Sequence, residues 1–320
     1  MAQSINTISP KKSSSFVENE DVRQIIDRAL VYLKAGYPVH LSGLTGTGKT
    51  TLAFRLASLI ERPTVMMHGD ESTQSQQLTG DENGFHSKRV FDNFISSVKK
   101  YEESHSKRWA DSRLTKACKE GYTLIYDEYN RSKPETNNLF LSILEEKILE
   151  LPFGSSKQGV IKVHPEFRCI FTSNPEEYAG THATQEALLD RIITINIEGY
   201  SIETEVMIIH YKGGIDMKNA ARLAWMIKEF RDKLESEDSV PTLRSGIMIA
   251  KASREAGIDM NRSNELFRQI CKDILGNTRL NKKNITKDKL QDRYDLIDHL
   301  ISKNFFNSNQ ISNAKEYKLH

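Results

Sequence analysis

The sequence predicts an α/β fold, a doubly wound parallel sheet with helices on both faces, followed by a small all-helical domain. Short apolar runs alternate with amphipathic helical patterns up to about residue 199, which is typical of a parallel sheet. After Gly199 the strand-like runs stop and helical patterns follow to about residue 303. The length of 320 residues is enough for about two domains.

Five apolar runs are predicted as the strands of the sheet. They are residues 38–42, 64–68, 122–126, 167–171 and 192–197. Helical patterns before and between them cover residues 21–34, 49–60, 90–103 and 111–119, and a further helix is predicted to follow a capping box at 132–135. Residues 70–90 are polar and are predicted as a loop or insertion, and residues 150–165 are predicted as a hairpin.

Composition shifts along the chain set the predicted domain limits. Residues 1–20 are polar and are predicted as a flexible N-terminal arm. Residues 21–199 are predicted as the α/β domain and residues 200–305 as the helical domain. Residues 306–320 are predicted as a C-terminal tail.

The composition excludes several classes of protein. The 45 basic and 43 acidic residues leave a net charge of +2, which is not the basic excess of a nucleic-acid coat. No stretch approaches 18 consecutive apolar residues, so no membrane span is expected. The three cysteines are far apart and no metal-binding spacing accompanies them. The first 15 residues hold no apolar signal segment, so a cytoplasmic location is expected. The balanced charge predicts no nucleic-acid partner.

Residues Gly43–Thr50 match the phosphate-binding pattern G-x-x-x-x-G-K-[ST] in full. The motif follows a predicted strand and opens a predicted helix. Its glycines let backbone N–H groups turn toward phosphate oxygens, and the helix N-terminus adds partial positive charge. Lys49 is expected to reach the β- and γ-phosphates, and Thr50 to offer its hydroxyl to Mg²⁺. The predicted nucleotide-binding residues are Gly43, Leu44, Thr45, Gly46, Thr47, Gly48, Lys49, Thr50 and Thr51.

Asp127 and Glu128 follow another apolar run, Leu124-Ile-Tyr. Because side chains alternate along a strand, two adjacent acids take different roles unless the strand has just ended. Asp127 is predicted to hold the Mg²⁺ shell, and Glu128 to polarise the attacking water as a general base. Such an acid pair is more often a helix N-terminal charge pair, but the phosphate-binding motif upstream favours catalysis.

Three further polar residues complete the predicted catalytic set. Asn174 follows the run 167–171 and is predicted to orient the water, although Asn-Pro is also ordinary turn chemistry. Arg191 precedes the last predicted strand, and Arg244 opens a helix of the second domain. Either guanidinium can stabilise charge that develops on a γ-phosphoryl group, although most arginines are surface groups.

Together these segments resemble the AAA+ ATPases of the MoxR type and, within them, the gas vesicle protein N family, GvpN. The resemblance covers about residues 20–255, and it depends on four strings of sequence. They are SGLTGTGKTTLA, TLIYDEYNRSKPETNNLFLSILEEKILELP, VHPEFRCIFTSNPEEYAGTHATQEALLDRIITI and PTLRSGIMIAKA. The MoxR-like group also implies an insertion near residues 70–95 and the hairpin at 150–165.

The resemblance implies an AAA+ P-loop NTPase that hydrolyses ATP with Mg²⁺. It implies that Gly43–Thr50 is the Walker A loop, that the two adjacent acids are Walker B, and that Asn174 is sensor 1. Arg191 matches the arginine finger that is offered to a neighbouring subunit, and Arg244 matches sensor 2 on the helical lid. A homo-oligomeric ring, expected to be a hexamer, follows from the finger in trans. The implied task is assembly or remodelling in gas vesicle formation or enlargement, with shell or accessory proteins as partners and a place in the cytoplasm or at the vesicle surface.

Other functions fit the same motifs less well. The main alternative is a nucleotide-gated binding module or scaffold with little turnover, and Glu128 disfavours it because a pure switch requires no general base. A small-molecule kinase is disfavoured by the helical second domain and by the position of Arg191. DNA unwinding is disfavoured by the balanced charge.

Overall fold

The computed structural model describes residues 16–73, 78–89, 103–151, 159–174, 181–234, 240–276 and 287–305. Parts of the sequence-based predictions lie outside these residues. They are the N-terminal arm up to residue 15, the helix over 90–102 and the tail from residue 306.

The chain divides into two compact units, each with its own core. The first comprises the described parts of Gln24–Leu44 and Gly48–Glu198. The second comprises the described parts of Ser14–Arg23, Thr45–Thr47 and Gly199–His320.

A five-stranded parallel sheet forms the centre of the first unit. Its strands are β1 (Val39–Gly43), β2 (Thr64–His68), β5 (Thr123–Asp127), β8 (Arg168–Ser173) and β9 (Ile193–Ile197). They lie in the order β2-β5-β8-β1-β9, and every pairing is parallel. The predicted parallel sheet is therefore confirmed. Because parallel strands end at one edge, the residues that follow β1, β5 and β8 meet there.

Helices lie before and between these strands. They are α1 (Glu20–Lys34), α2 (Lys49–Ile60), α3 (Arg113–Glu120), α4 (Pro134–Asn137), α5 (Leu139–Leu144) and α6 (Glu186–Leu189). Four fully buried aromatic side chains pack together in the core between sheet and helices. They are Tyr126, Tyr129, Phe140 and Phe171. This cluster lies directly behind the ends of β5 and β8, so it supports the residues that follow those strands.

Two antiparallel hairpins extend from the parallel sheet. The segment over 70–90, predicted as a loop or insertion, is not a loop throughout, because β3 (Gly80–Arg89) pairs with β4 (Glu103–Asp111) as an inserted pair of strands. Both strands have polar sequences without apolar alternation, so hydrophobic periodicity gives no signal for them. The pairing of β6 (Ile148–Glu150) with β7 (Val160–Lys162) confirms the predicted hairpin over 150–165 where it is described, and residues 152–158 lie outside the described residues.

The predicted capping box at 132–135 is wrong. Helix α4 begins with Pro134, and no side chain caps its first turn. The Ser132 hydroxyl instead accepts hydrogen bonds from the Tyr126 hydroxyl at 2.7 Å and from the Asp70 N–H at 3.2 Å. Ser132 therefore joins the ends of β5 and β2, and the fixed φ of proline starts the helix.

The second unit is helical over its described residues. Its elements are α7 (Ile202–Gly213), α8 (Met217–Asp232), α9 (Leu243–Glu255), α10 (Glu265–Cys271), a π-helical turn (Lys272–Gly276) and α11 (Lys287–Asn304). Side chains cap the first turns of α7, α8 and α10 in the way that short polar residues favour. Inward-facing apolar residues form one continuous core, which explains the helical periodicity read from the sequence.

Candidate active site

The phosphate-binding motif folds as a strand, a tight loop and a helix. Gly46 and Gly48 have φ of 83° and 87°, a left-handed conformation that glycine adopts without steric cost. A Cβ on Gly43 would lie 2.4 Å from the carbonyl oxygen of Ile197, so only glycine fits there as well. The sequence therefore forms the predicted cradle, which opens at the N-terminus of α2.

Lys49 is buried at the first turn of α2 and its side chain turns back over the loop. The ammonium group donates to the carbonyl oxygens of Gly43 at 2.7 Å and Leu44 at 2.8 Å. The amine that the motif assigns to phosphates is thus held at the mouth of the loop by the loop's own backbone.

The tip of the loop, Thr45–Thr47, belongs to the second unit together with Arg244. The Tyr200 hydroxyl donates to the carbonyl oxygen of Thr47 at 2.8 Å. A Cβ on Gly46 would lie 2.4 Å from Oγ1 of Thr242 and 3.5 Å from Cβ of Arg244. Within this unit, the predicted sensor 2 residue therefore lies in the first turn of α9 beside the loop tip.

In the first unit, the hydroxyl of the loop's threonine meets the first acid of the predicted pair. Thr50 Oγ1 donates to Oδ1 of Asp127 at 2.8 Å. The same oxygen accepts from Thr172 Oγ1 at 2.6 Å, and Nδ1 of His68 lies 3.5 Å from the other carboxylate oxygen. Residues from the ends of the two strands that flank β5, and from the start of α2, therefore converge on Asp127.

Glu128 stands at a sharp turn directly after β5. Its φ of 52° and ψ of 41° are left-handed, an unusual conformation for a residue with a side chain. Because the strand ends at Asp127, the alternation of side chains stops and both acids stay at the same edge. One Glu128 oxygen accepts from Asn174 Nδ2 at 3.2 Å, and the other lies 2.7 Å from Nε of Arg131. The predicted general base and the predicted sensor 1 residue are thus in direct contact.

The backbone of the acid pair is held from the β2 side by Gly69. The Gly69 N–H donates to the carbonyl oxygen of Asp127 at 2.8 Å. A Cβ on Gly69 would lie 2.1 Å from the carbonyl oxygen of Glu128 and 3.0 Å from Cα of Tyr129. The missing side chain of Gly69 therefore leaves the room in which Glu128 turns.

Arg191 is not in contact with the acid pair. Its guanidinium donates from Nε to Oε2 of Glu145 at 2.7 Å, a second nitrogen contacts the same carboxylate, and a third donates to the carbonyl oxygen of Ala187 at 2.5 Å. Glu145 is 60% exposed in its side chain, so this ion pair lies at the protein surface. In this arrangement the guanidinium of the predicted finger is bound by residues of its own chain, and the Arg191 side chain is 27% exposed.

A buried histidine lies behind this edge of the sheet. His40 of β1 is 4% exposed, and its ring nitrogens contact Oγ1 of Thr194 at 3.0 Å and Oγ of Ser173 at 2.8 Å. Burial, with a smaller contribution from the Lys49 charge, lowers the pKa of His40 to about 4. His40 therefore stays neutral near pH 7 and ties β1 to both neighbouring strands next to Asn174.

Several contributors to this site were not predicted. Thr172 lies near the end of β8, two residues before Asn174, and that two-residue spacing is a signal that the sequence offers. Arg131 lies three residues after Glu128 in the turn that follows β5, so its ion pair with Glu128 is local in sequence. Gly69 lies against Glu128 because β2 and β5 are neighbours, and strand order is not visible in a single sequence.

Comparison with known proteins gives the family. A family model for the AAA domain (dynein-related subfamily) matches residues 38–192. The gas vesicle ATPase GvpN of Ancylobacter aquaticus is 43% identical over 270 residues, which cover 84% of this chain and 75% of the relative. The chain belongs to the GvpN family. The GvpN of Haloferax mediterranei is 39% identical over 81% of this chain and 74% of that protein, and GvpN1 of Halobacterium salinarum is 38% identical over 82% and 75%.

The match to the GvpN family confirms the predicted family and the predicted AAA+ P-loop fold. The match to the GvpN of Ancylobacter aquaticus covers 84% of this chain, and the AAA family model covers the phosphate-binding motif within residues 38–192. In the part of the chain that the structure describes, no helix is long and apolar enough to cross a membrane.

Proposed function

We propose that this GvpN family member is a Mg²⁺-dependent ATP hydrolase that acts as an assembly or remodelling factor in gas vesicle formation or enlargement. The observation that carries the proposal is the 2.8 Å contact between Thr50 Oγ1 and Asp127 Oδ1. The contact brings the hydroxyl beside the phosphate-binding loop and the carboxylate at the end of β5 close enough to bind one metal ion together. Two observations support ATP hydrolysis by this chain: the relatives are named ATPases, and the AAA family model matches residues 38–192.

The residues present fit a nucleoside triphosphate and a magnesium ion. Loop glycines in left-handed conformation and the start of α2 present backbone donors to phosphate, and Lys49 supplies positive charge beside them. Thr50 and Asp127 supply the hydroxyl and carboxylate oxygens that Mg²⁺ prefers. Bound there, the ion would offset negative charge on the β- and γ-phosphates.

The proposed proton transfer depends on Glu128, which lies in the turn directly after β5. Glu128 accepts the proton of the attacking water, because it stands beside Asp127 and carries no part of the metal shell. Asn174 donates to Glu128 at 3.2 Å and thereby fixes the direction of the carboxylate. The products are ADP and phosphate, and the proton leaves through the Glu128 carboxylate.

Arg191 and Arg244 are proposed to stabilise the charge that develops on the γ-phosphoryl group. Arg244 acts from the first turn of α9, and Arg191 acts on the nucleotide of a neighbouring copy, which requires a homo-oligomeric ring. The position of the Arg191–Glu145 pair at the surface supports this role, because the guanidinium is partly exposed and its partner Glu145 is 60% exposed. Shell or accessory proteins of the gas vesicle are the proposed partners, in the cytoplasm or at the vesicle surface.

The test is phosphate release by the purified chain with and without Mg²⁺. Glu128→Gln keeps the shape and the Asn174 contact but removes the base, so turnover should fall about 10²–10⁴-fold while nucleotide binding is retained. Glu135→Gln, an exposed glutamate in α4, is the matched control and should keep full turnover. Undiminished turnover in Glu128→Gln refutes the assigned base. Binding without any phosphate release, even with shell proteins added, would support the nucleotide-gated module instead, a state compatible with the Arg131–Glu128 ion pair.

A further inference from the structure

A single hydroxyl in the core of the site contacts both acids. Thr172 is 1% exposed and lies in β8, next to β5 in the sheet. Its Oγ1 donates to Oδ1 of Asp127 at 2.6 Å and accepts the backbone N–H of Glu128 at 3.0 Å. A hydroxyl has one proton to donate and lone pairs to accept, so both bonds form at once.

The two bonds act on different properties of the acid pair. The bond to Asp127 fixes which way its carboxylate faces, and Thr50 donates to the same oxygen from the other side. The bond from the Glu128 N–H holds the peptide at which the chain enters its left-handed turn. That conformation is costly for glutamate and persists only where neighbouring groups determine it. Thr172 therefore constrains both the proposed metal ligand and the turn that presents the proposed base.

We infer that Thr172 is a positioning residue for the reaction, which sets the geometry of Asp127 and Glu128 without touching the nucleotide itself. This inference rests on the proposed function of those two acids. Valine has nearly the same shape as threonine but lacks the hydroxyl, so Thr172→Val removes both bonds and leaves a buried N–H without its acceptor. Serine keeps the hydroxyl and loses only a methyl group.

The chain also offers a matched control. Thr123 is fully buried in β5, and its hydroxyl has no hydrogen-bond partner. Thr123→Val therefore makes the same chemical change in the neighbouring strand without breaking a bond. It should fold at least as well as wild type and keep its turnover within about twofold.

The experiment measures three quantities for wild type, Thr172→Val, Thr172→Ser and Thr123→Val. Steady-state phosphate release gives kcat and the Mg²⁺ concentration for half-maximal rate. Binding of a fluorescent ATP analogue gives nucleotide affinity. Amide hydrogen exchange of the peptide that contains Glu128, without nucleotide, reports the hydrogen bond directly.

Thr172→Val should lower kcat about tenfold or more and raise the Mg²⁺ requirement, while nucleotide affinity changes less than about threefold. Its Glu128 amide should exchange about tenfold faster, and Thr172→Ser should restore both readouts to near wild type. Equal exchange and equal kcat in Thr172→Val and wild type would overturn the inference, as would a serine variant as impaired as the valine variant. If wild type releases no phosphate at all, the proposed function fails, and the exchange measurement still decides whether Thr172 holds the turn.

Discussion

The buried His40 predicts a loss of stability in mild acid. Its ring lies between Thr194 and Ser173, and burial lowers its pKa from an ordinary 6.5 to about 4. In the unfolded chain the same ring regains its ordinary pKa and binds a proton below about pH 6.5. The unfolded state therefore binds more protons than the folded state between these two values, and the free energy of unfolding falls as the pH falls.

The size of the effect follows from the two pKa values. Integrating the difference in bound protons gives a loss of about 2 kcal/mol between pH 7 and pH 5. The loss is complete below pH 4, where it reaches about 3.4 kcal/mol, since one pKa unit corresponds to about 1.36 kcal/mol. A loss of that size is a large fraction of the total stability of an ordinary domain.

Urea unfolding of wild type, His40→Gln and His299→Gln at pH 7, 6 and 5 measures this contribution. His40→Gln has no group to titrate in that position, so it should lose about 2 kcal/mol less than wild type between pH 7 and pH 5. His299 is exposed in α11, and its variant should follow wild type. If the curve of His40→Gln runs parallel to that of wild type, the buried neutral histidine is not the acid-sensitive group and the reasoning fails.

Two further predictions concern the edges of the site. Gly69→Ala should lower kcat about tenfold or more with nucleotide binding retained, because the added Cβ collides with the Glu128 carbonyl. Gly199→Ala is the control, since its Cβ meets no atom within 4 Å, and it should keep the kcat of wild type. Equal kcat in the two variants would contradict this role of Gly69. Glu145→Gln should leave the melting temperature nearly unchanged, since an exposed ion pair contributes about 0.2–1 kcal/mol. Because Glu145→Gln frees Arg191 to reach a neighbouring copy, it should also lower the protein concentration at which phosphate release per molecule is half-maximal, by up to about fivefold. A concentration dependence identical to that of wild type would argue against the finger role of Arg191.

Sequence periodicity was sufficient for the parts of the fold that bury an apolar face. Strand β5 is buried at every position, and its run of apolar residues was readable because a parallel sheet is covered on both faces. The polar strands β3 and β4 gave no such signal, since backbone hydrogen bonds pair them. The capping-box prediction for Ser132 is wrong for a related reason: its hydroxyl accepts from Tyr126 in β5 and from Asp70 after β2, and the second contact depends on the order of the strands.

The site was predictable to the extent that its chemistry is local in sequence. The phosphate-binding motif holds its loop, lysine and threonine within eight residues, so their joint role could be read directly. The surroundings of Asp127 depend on strand order instead. His68 and Thr172 reach it because β2 and β8 flank β5. The two-residue spacing from Thr172 to Asn174 is visible in the sequence, but the order of the strands is not.

Strand register, as well as strand order, determines whether the site works. Tyr126 pairs with Phe171, so Asp127 and Thr172 come next at the same level and their side chains meet at 2.6 Å. A slip of one residue between β5 and β8 would turn Thr172 to the opposite face of the sheet and remove the hydroxyl from both acids. The aromatic rings of Tyr126 and Phe171 lie in the buried cluster with 6.2 Å between their centroids, and they oppose such a slip. The packing of the core therefore sets the geometry of the acid pair, because the residues that fix the register immediately precede the residues that carry the chemistry.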